Sequence, residues 1–162
     1  MAVDEVTLAK ATIRRSMRDW RRSLSDVELA TRSEGIVGQL SKRTDVMAAG
    51  TVMGFTAVRG EPDLSQLAAV IRGAGHRWVV PEDDPEPTDV DLVIVPGVSF
   101  TWLGDRLGQG GGWYDRFLPQ LRSGVITIGV CFAEQISDVL PIERHDVPVD
   151  AVVVDDADQV SS

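Results

Sequence analysis

Four glycines within five positions, Gly108 and Gly110–Gly112, form the segment of this sequence best suited to binding an anion. Without side chains, backbone N–H groups can approach an anion closely, and a helix beginning near Trp113 would add the positive end of its dipole. The segment lacks the Gly-Lys-Ser/Thr of a Walker A loop, and it does not follow a first strand as the dinucleotide fingerprint does. It is therefore either a mobile surface turn or a phosphate-binding loop. The aromatic residues Trp113 and Tyr114 directly after it favour the phosphate-binding loop.

A stripe of cations near the amino terminus predicts the same kind of ligand. Lys10, Arg14 and Arg18 recur every four residues, so they share one face of a predicted helix, next to its apolar face. A face that is only solvated would normally alternate cations with acids, yet only Asp19 interrupts the six basic residues between positions 10 and 22. Because unpaired cations repel one another, the pattern favours an anionic ligand such as a polyphosphate.

Other candidate residues also have ordinary structural explanations. Glu61 follows the first predicted strand and caps no helix, so it is either an exposed surface residue or part of a site at that strand's carboxyl end. Asp115 lies beside the glycine segment, where a carboxylate can help hold Mg²⁺ near a phosphate. His76 and His145 have no second ligand at zinc spacing. Cys131 lies in an apolar run, and we expect it to pack as a small hydrophobe rather than act as a nucleophile.

Composition and charge limit the class of protein. A length of 162 residues with 43% hydrophobic content predicts one domain over residues 1–162, with frayed ends at 1–8 and 156–162. There is no apolar run of about 18 residues and no signal-peptide pattern, so we expect a cytoplasmic protein without a membrane partner. The net charge of -9 and the pI near 4.6 argue against a nucleic-acid partner. Acids concentrate in the second half, where 16 accompany 4 basic residues.

Apolar periodicity predicts the elements that must position these residues. Spacings of three and four indicate a helix over about 5–22, and a capping box at Ser25 and Glu28 begins a second helix. Further helices are predicted at 63–75, 113–122 and 134–140. Short, almost wholly apolar strands are predicted at 51–56, 77–81, 91–96, 125–132 and 151–155.

Such strands, separated by helices, predict an α/β fold. We expect a three-layer, Rossmann-like arrangement with a mostly parallel sheet of about five or six strands and helices on both faces. Ligands of such sheets bind at the carboxyl ends of the strands. The long connection 96–112, which contains the glycine segment, follows a strand directly and therefore lies at that edge.

One segment closely resembles the signature of the 5-formyltetrahydrofolate cyclo-ligases, also called methenyltetrahydrofolate synthetases. It reads VPGVSFTWLGDRLGQGGGWYDRFL and covers residues 95–118. The resemblance extends over nearly the whole chain and includes Lys10, Arg14, Arg22, Leu24, Glu61, Ile128, Gly129, Gln135, Leu140, Pro141, His145 and Asp146.

The resemblance implies an ATP- and Mg²⁺-dependent ring closure in one-carbon metabolism. In that family the formyl oxygen of 5-formyltetrahydrofolate attacks the γ-phosphate of ATP. Atom N10 then captures the phosphorylated formyl intermediate, giving 5,10-methenyltetrahydrofolate, ADP and phosphate. The implied partner is a small molecule, a reduced folate or an analogue, and we expect a monomer or a weak homo-oligomer. No side-chain nucleophile is required.

The resemblance also implies roles for individual residues. The implied catalytic residues are Lys10 and Arg106, with Arg106 neutralising charge on the transferred group. The implied ATP-binding residues are Lys10, Arg14, Arg18, Gly108, Gln109, Gly110, Gly111, Gly112, Tyr114 and Asp115. The implied substrate-binding residues are Phe55, Glu61, Trp113 and Tyr114, and Asp115 is the implied metal ligand.

This sequence departs from the family between its second and third predicted strands. Family members carry a longer segment there, with apolar and aromatic residues that cover the folate, whereas residues 82–90 are almost wholly acidic or proline. Phe55 stands where the family often has tyrosine. The nucleotide half of the site is therefore complete in the sequence and the folate half is reduced. Two alternatives follow: a paralogue that binds ATP but acts on a smaller substrate, and a non-catalytic nucleotide- or folate-binding module.

Overall fold

The computed structural model describes residues 4–58 and 60–155. The predicted frayed ends therefore lie partly outside the described residues, at 1–3 and 156–162, whereas residues 5–8 form the first turn of a helix. Among the described residues, no helix combines the length and the apolar character that crossing a bilayer requires.

In the described residues, seven strands form two sheets. In chain order they are β1 (Thr51–Met53), β2 (Arg77–Val79), β3 (Leu92–Pro96), β4 (Ser99–Phe100), β5 (Arg106–Leu107), β6 (Ile126–Val130) and β7 (Ala151–Val153). The main sheet has the order β2-β1-β3-β6-β7, and every neighbouring pair in it is parallel. The predicted α/β fold with a mostly parallel sheet is confirmed, and its strands are shorter than the predicted ranges.

Five α-helices accompany the strands within residues 4–58 and 60–155. They are α1 (Glu5–Arg22), α2 (Asp26–Ser41), α3 (Thr44–Ala48), α4 (Ser65–Gly73) and α5 (Trp113–Phe117). The Asp4 side chain accepts the N–H of Thr7 at 2.9 Å and begins α1, and Ser25 likewise accepts the N–H of Glu28 and begins α2. The Ser25 cap was predicted from the sequence, whereas the start of α1 was predicted from apolar spacing and the Asp4 cap was not.

Two predicted helices were wrong in part or entirely. Helix α5 ends at Phe117 and continues only as a 3-10 turn over Leu118–Gln120, because Pro119 cannot extend an α-helical hydrogen-bond ladder. The predicted helix at 134–140 is a single 3-10 turn over Ala133–Gln135. Its continuation is extended, since Ile136 bridges Phe100 of β4 and competes with helical hydrogen bonding.

Both faces of the main sheet are buried. In β3, Leu92 and Ile94 join a core formed with α2, α3 and α4, whereas Val93 and Val95 join a second core with residues of α5 and the 3-10 turn that follows it. This alternation with apolar residues on both sides is typical of a parallel sheet covered by helices on each face. It makes the sheet a rigid base for the connections at its carboxyl edge.

The connection 96–112, which was predicted to have no secondary structure, contains the small antiparallel hairpin of β4 and β5. The fully buried ring of Phe100 lies against Gly97 and Gly129, and a side chain at either glycine would collide with it. The hairpin is thereby fixed to β6. The glycine segment that follows β5 begins from a rigid support.

Candidate active site

A cavity of about 660 Å³ opens at the carboxyl ends of β1, β2 and β3. Its walls come from α1, the glycine segment 108–112, α5 and residues 143–146. Every predicted site residue except Arg18 lines this cavity. Residues separated by up to 136 positions in sequence therefore meet at one edge of the sheet, as expected for a parallel α/β fold.

Arg18 lies in a neighbouring cleft of about 510 Å³ together with the exposed Arg15 and Arg22. The cleft shares Arg14 and Gln109 with the main cavity. The predicted stripe of cations is thus divided, because its first two members face the main cavity and Arg18 faces the cleft.

Lys10 is a buried cation with two acidic partners. Its side chain is 7% exposed, and Nζ donates to Glu143 Oε1 at 2.8 Å and to Asp146 Oδ2 at 2.6 Å. Burial lowers the pKa of Lys10, but the hydrogen bonds and charges of the two acids outweigh burial, so the pKa lies above its ordinary value. Burial raises the pKa of Asp146, and Lys10 together with the backbone of Glu143 more than reverses this. The sequence reasoning identified Lys10 but not its two partners.

The glycine segment is held by arginine side chains through its carbonyl groups. Arg14 Nε donates to the carbonyl of Gly108 at 2.9 Å, and Arg116 Nη1 donates to the carbonyl of Gly111 at 2.9 Å. The N–H groups of residues 109–112 donate to no acceptor within the described ranges. Gly110 has a φ of 114°, which only glycine adopts readily. The segment therefore combines fixed carbonyl groups with free N–H donors.

Arg106 is buried between the glycine segment and α5. Its Nε donates to the carbonyl of Pro96 at 2.8 Å, and its guanidinium lies 5.1 Å from the centre of the Tyr114 ring. Nη1 is 3.8 Å from Asp115 Oδ1, which also accepts the N–H of Val147 at 2.9 Å. Burial lowers the pKa of Arg106 and Asp115 opposes this, while burial raises the pKa of Tyr114. An arginine remains charged under such conditions, so a positive charge is fixed in the cavity wall.

Glu61 is a buried carboxylate of the same cavity, 6% exposed. Its Oε2 accepts the N–H of Val58 at 3.1 Å. Burial raises the pKa of Glu61, while hydrogen bonds from Val58 and Gln109 and the charge of Arg21 partly offset the effect. Of the two explanations that the sequence left open, an exposed surface residue is therefore wrong.

Arg21 is a buried cation that the sequence reasoning missed. It is 4% exposed, and its Nε and Nη1 have no hydrogen-bond partner within the described part of the chain. Arg21 lies eleven residues after Lys10, which is about three helical turns, so both residues lie on one face of α1. This spacing is the sequence signal from which Arg21 could have been predicted.

The short acidic segment forms part of the cavity wall. It folds as two 3-10 turns, Pro81–Asp83 and Pro87–Asp89, and Pro81 and Glu82 reach the cavity. Across from it, the partly exposed Trp113 stacks on Phe117 with ring centres 4.8 Å apart. The cavity thus has one acidic rim and one aromatic rim.

Comparisons with known proteins agree on one family. The model of the 5-formyltetrahydrofolate cyclo-ligase family matches residues 79–155. The 5-formyltetrahydrofolate cyclo-ligase of Saccharomyces cerevisiae is 39% identical over 83 residues, which cover 47% of this chain and 39% of that relative. This alignment, like those to the other first relatives, spans less than half of the relative's length. The Escherichia coli K12 enzyme of the same name is 27% identical over 173 residues, covering 85% of this chain and 95% of that protein.

A solved structure agrees in fold as well. The 5,10-methenyltetrahydrofolate synthetase of Aquifex aeolicus superposes with a TM-score of 0.80 and 26% identity, covering 90% of this chain and 89% of that one. The match to the family model, the named relatives and this structural likeness lead to the same assignment. The chain is therefore similar to the 5-formyltetrahydrofolate cyclo-ligase family, to whose model its residues 79–155 match.

Proposed function

We propose that this protein is an ATP-dependent ligase that converts 5-formyltetrahydrofolate to 5,10-methenyltetrahydrofolate. One observation carries the proposal: a glycine segment with free N–H groups shares a single cavity with two buried cations and a buried carboxylate. A site that joins ATP to a pterin needs N–H donors and cations that bind phosphate. It also needs a hydrogen-bond acceptor for the polar edge of the ring. The similarity to the cyclo-ligase family supports the same reaction.

The nucleotide half of the site consists of the glycine segment, Lys10, Arg14 and Arg106. The N–H groups of residues 109–112 bind phosphate oxygens and Arg14 adds its positive charge from α1. Lys10 contacts the phosphates from the same helix while Glu143 and Asp146 hold it in place. Arg106 is fixed by the Pro96 carbonyl and lies in a buried wall, where a cation stabilises developing negative charge with little reorganisation. This division of roles suits phosphoryl transfer, in which the enzyme chiefly positions groups and stabilises charge.

The reaction proceeds in two displacements. The formyl oxygen attacks the γ-phosphorus, and the bond between that phosphorus and the β–γ bridging oxygen breaks to release ADP. Atom N10 then attacks the activated formyl carbon and loses its proton. The carbon–oxygen bond breaks and phosphate leaves with the former formyl oxygen. The chain's own residues bind and orient both substrates and supply no covalent nucleophile.

Asp115 is our candidate for holding Mg²⁺. Mg²⁺ favours one or two carboxylates together with phosphate oxygens, and Asp115 lies next to the glycine segment with one oxygen directed to the Val147 N–H. Among the described residues, no group of three or more acidic, histidine or cysteine side chains is arranged for a metal, so the nucleotide must complete the coordination. When bound, the ion would neutralise charge on the phosphates.

The folate half of the site consists of Glu61, Phe55, Trp113 and Tyr114. A carboxylate accepts two hydrogen bonds at once, which matches adjacent N–H donors on a pterin edge, and the aromatic side chains supply flat apolar surface for the ring. Glu61 is the only acid in this set, and its burial strengthens those bonds.

A second function is favoured by the short acidic segment. Pro81 and Glu82 occupy the wall where family members carry a longer segment, and an acidic rim repels the carboxylates of a folate glutamate tail. The same nucleotide half could then serve a smaller substrate without that tail.

One assay separates the two functions. Purified protein is mixed with ATP, Mg²⁺ and 5-formyltetrahydrofolate, and the near-ultraviolet absorbance of the methenyl product is followed beside a heat-killed control. We expect product formation with matching release of ADP. Absence of product above the control would refute the cyclo-ligase proposal. In that case, a rise in melting temperature with ATP alone would support the proposed nucleotide half of the site and favour the function with a smaller substrate.

A further inference from the structure

The two buried side chains of α1, a helix described in full, are both cations: Lys10 and Arg21. Lys10 is neutralised by Glu143 and Asp146, but Arg21 forms no ion pair within the described ranges and leaves two N–H groups without a partner. A guanidinium does not lose its proton in a protein, so this charge is buried without direct compensation. Such burial is costly and needs a nearby negative charge to persist.

Glu61 supplies that charge. It is the acid whose charge raises the pKa of Arg21 against the lowering effect of burial, and Arg18 acts in the opposite direction. Both Arg21 and Glu61 are more than nine-tenths buried, so the field between them is weakly screened. No direct hydrogen bond joins the two residues, and the two free N–H groups of Arg21 leave donors for a bridging water.

The backbone connects the same two residues. Gly60 precedes Glu61 in a turn closed by the Glu61 N–H and the Val58 carbonyl at 3.0 Å. The Cα of Gly60 packs on Arg21, since a Cβ at Gly60 would lie 3.1 Å from the Arg21 Cβ. With a φ of 83°, Gly60 adopts a conformation that other residues rarely take. The Cβ and the backbone carbonyl of Arg21 therefore support the turn that carries Glu61, and this packing brings position 21 of α1 next to Glu61.

We propose that Arg21 is a positioning residue that holds the turn carrying Glu61 and keeps the Glu61 carboxylate ionised for ligand binding. Among the described residues, the Val58 N–H, the Gln109 amide from the glycine segment and the Tyr114 ring from α5 also face this carboxylate. None of these three groups is cationic, so within the described residues Arg21 is the cation that opposes the effect of burial on Glu61.

The charge state decides what Glu61 can bind. An ionised carboxylate accepts two hydrogen bonds, whereas a protonated one donates one and repels an N–H donor. The consequence for folate binding rests on the proposed function, but the charge state of Glu61 can be measured without any ligand.

The first experiment measures Glu61 directly in the ligand-free protein. Glutamate side-chain carboxyl carbons are labelled with ¹³C and followed by NMR from low to high pH, with E61Q identifying the Glu61 signal. In R21M we expect the titration midpoint of Glu61 to rise by about one pH unit or more. R21K should keep it near the wild-type value, and R15M, which removes an exposed cation from the same helix, should leave it unchanged.

An unchanged midpoint in folded R21M would overturn the proposal, and so would an equal shift in R15M. If R21M does not fold, R21Q, which keeps polar N–H groups without the charge, provides the same comparison. A shift in R21Q with none in R21K supports the proposal.

The second experiment measures ligand binding. With 5-formyltetrahydrofolate we expect R21M to raise KM by about tenfold at neutral pH, with kcat and the KM for ATP little changed. The defect should shrink as the pH rises and Glu61 ionises again. A loss that is equal at all pH values would show a purely structural role and overturn the proposal. Absence of turnover in the wild type would refute the proposed function alone, because the NMR result does not depend on it.

Discussion

Each end of α1 buries one cation, and the two cations differ in their hydrogen-bond partners. Near the start of the helix, Lys10 meets two carboxylates at hydrogen-bond distance. Three turns later, Arg21 is buried just as deeply and its Nε and Nη1 meet no partner in the described residues. The difference teaches that burial alone does not reveal what a charge contributes. We expect the two ion pairs of Lys10 to stabilise the fold and the proposed nucleotide half, whereas we propose that the Arg21 charge acts on the single carboxylate of Glu61.

Replacing Lys10 should give the largest effect on stability. In K10M, Glu143 and Asp146 lose their cation while Asp146 remains mostly buried, so we expect the free energy of unfolding to fall by about 3 kcal/mol. Urea denaturation measures the change. The exposed variant R15M should stay within about 0.5 kcal/mol of the wild type. If K10M lost no more stability than R15M, the contrast between the two ends would be refuted.

Replacing Arg21 should change stability in the opposite direction. In R21M two desolvated N–H groups are removed, and Glu61 can compensate for the lost cation by taking up a proton. We expect the free energy of unfolding to rise by about 1 kcal/mol, although folate binding weakens. The same urea series tests this expectation. A destabilisation as large as that of K10M would mean that Arg21 has a partner in solution as strong as those of Lys10.

Lowering the pH should change the stability contributed by the acids at the two ends of α1 in opposite directions. The pKa of Asp146 is lowered from 3.8 on folding, so its contribution is complete above that pH and is lost as the pH falls further. The pKa of Glu61 is raised from 4.5, so the fold gains stability when Glu61 takes up its proton as the pH falls. Urea denaturation across this range should show a smaller acid loss in D146N. E61Q should lack the part of this acid response that Glu61 supplies.

The smallest effect is expected from a matched pair of variants in the glycine segment, at Gly110 and Gly111. G110A places a side chain at a φ of 114°, which costs about 1 kcal/mol or more, so nucleotide affinity should fall by about fivefold. At Gly111 a Cβ would meet nothing within 4 Å and φ is ordinary, so G111A should bind ATP almost as the wild type does. Calorimetric titration with ATP compares them. Equal losses would argue against a binding role for the geometry at Gly110.

The sequence was most informative where the structure depends on local signals. The span of α1 followed from apolar spacing, and the start of α2 followed from the Ser25 cap, because both depend on neighbours within one turn. The parallel sheet followed from runs of apolar residues that are buried on both faces. The glycine segment was recognisable because its composition itself indicates close approach of a ligand to the backbone.

Features that depend on distant partners were not predictable in the same way. The hairpin of β4 and β5 has only two residues in each strand and is fixed by packing of Phe100 on Gly129, which no local pattern reveals. The predicted helix over 134–140 failed because Ile136 pairs with Phe100 instead. The burial of Arg21 depends on packing against the turn at Gly60, which no local pattern reveals.

The ion pairs of Lys10 also have a consequence for how the protein is made. Lys10 and Asp146 lie 136 positions apart, so α1 leaves the ribosome long before its acidic partner exists. Until that partner is synthesised, the Lys10 end of α1 cannot dock without burying an unpaired charge. The sheet strands β1 to β3 can pair earlier in translation, since domains condense as their chain emerges. We therefore expect a nascent chain that stops before residue 143 to have much of its core but to lack a competent form of the proposed nucleotide site, so that ATP binding would report that Asp146 has been synthesised.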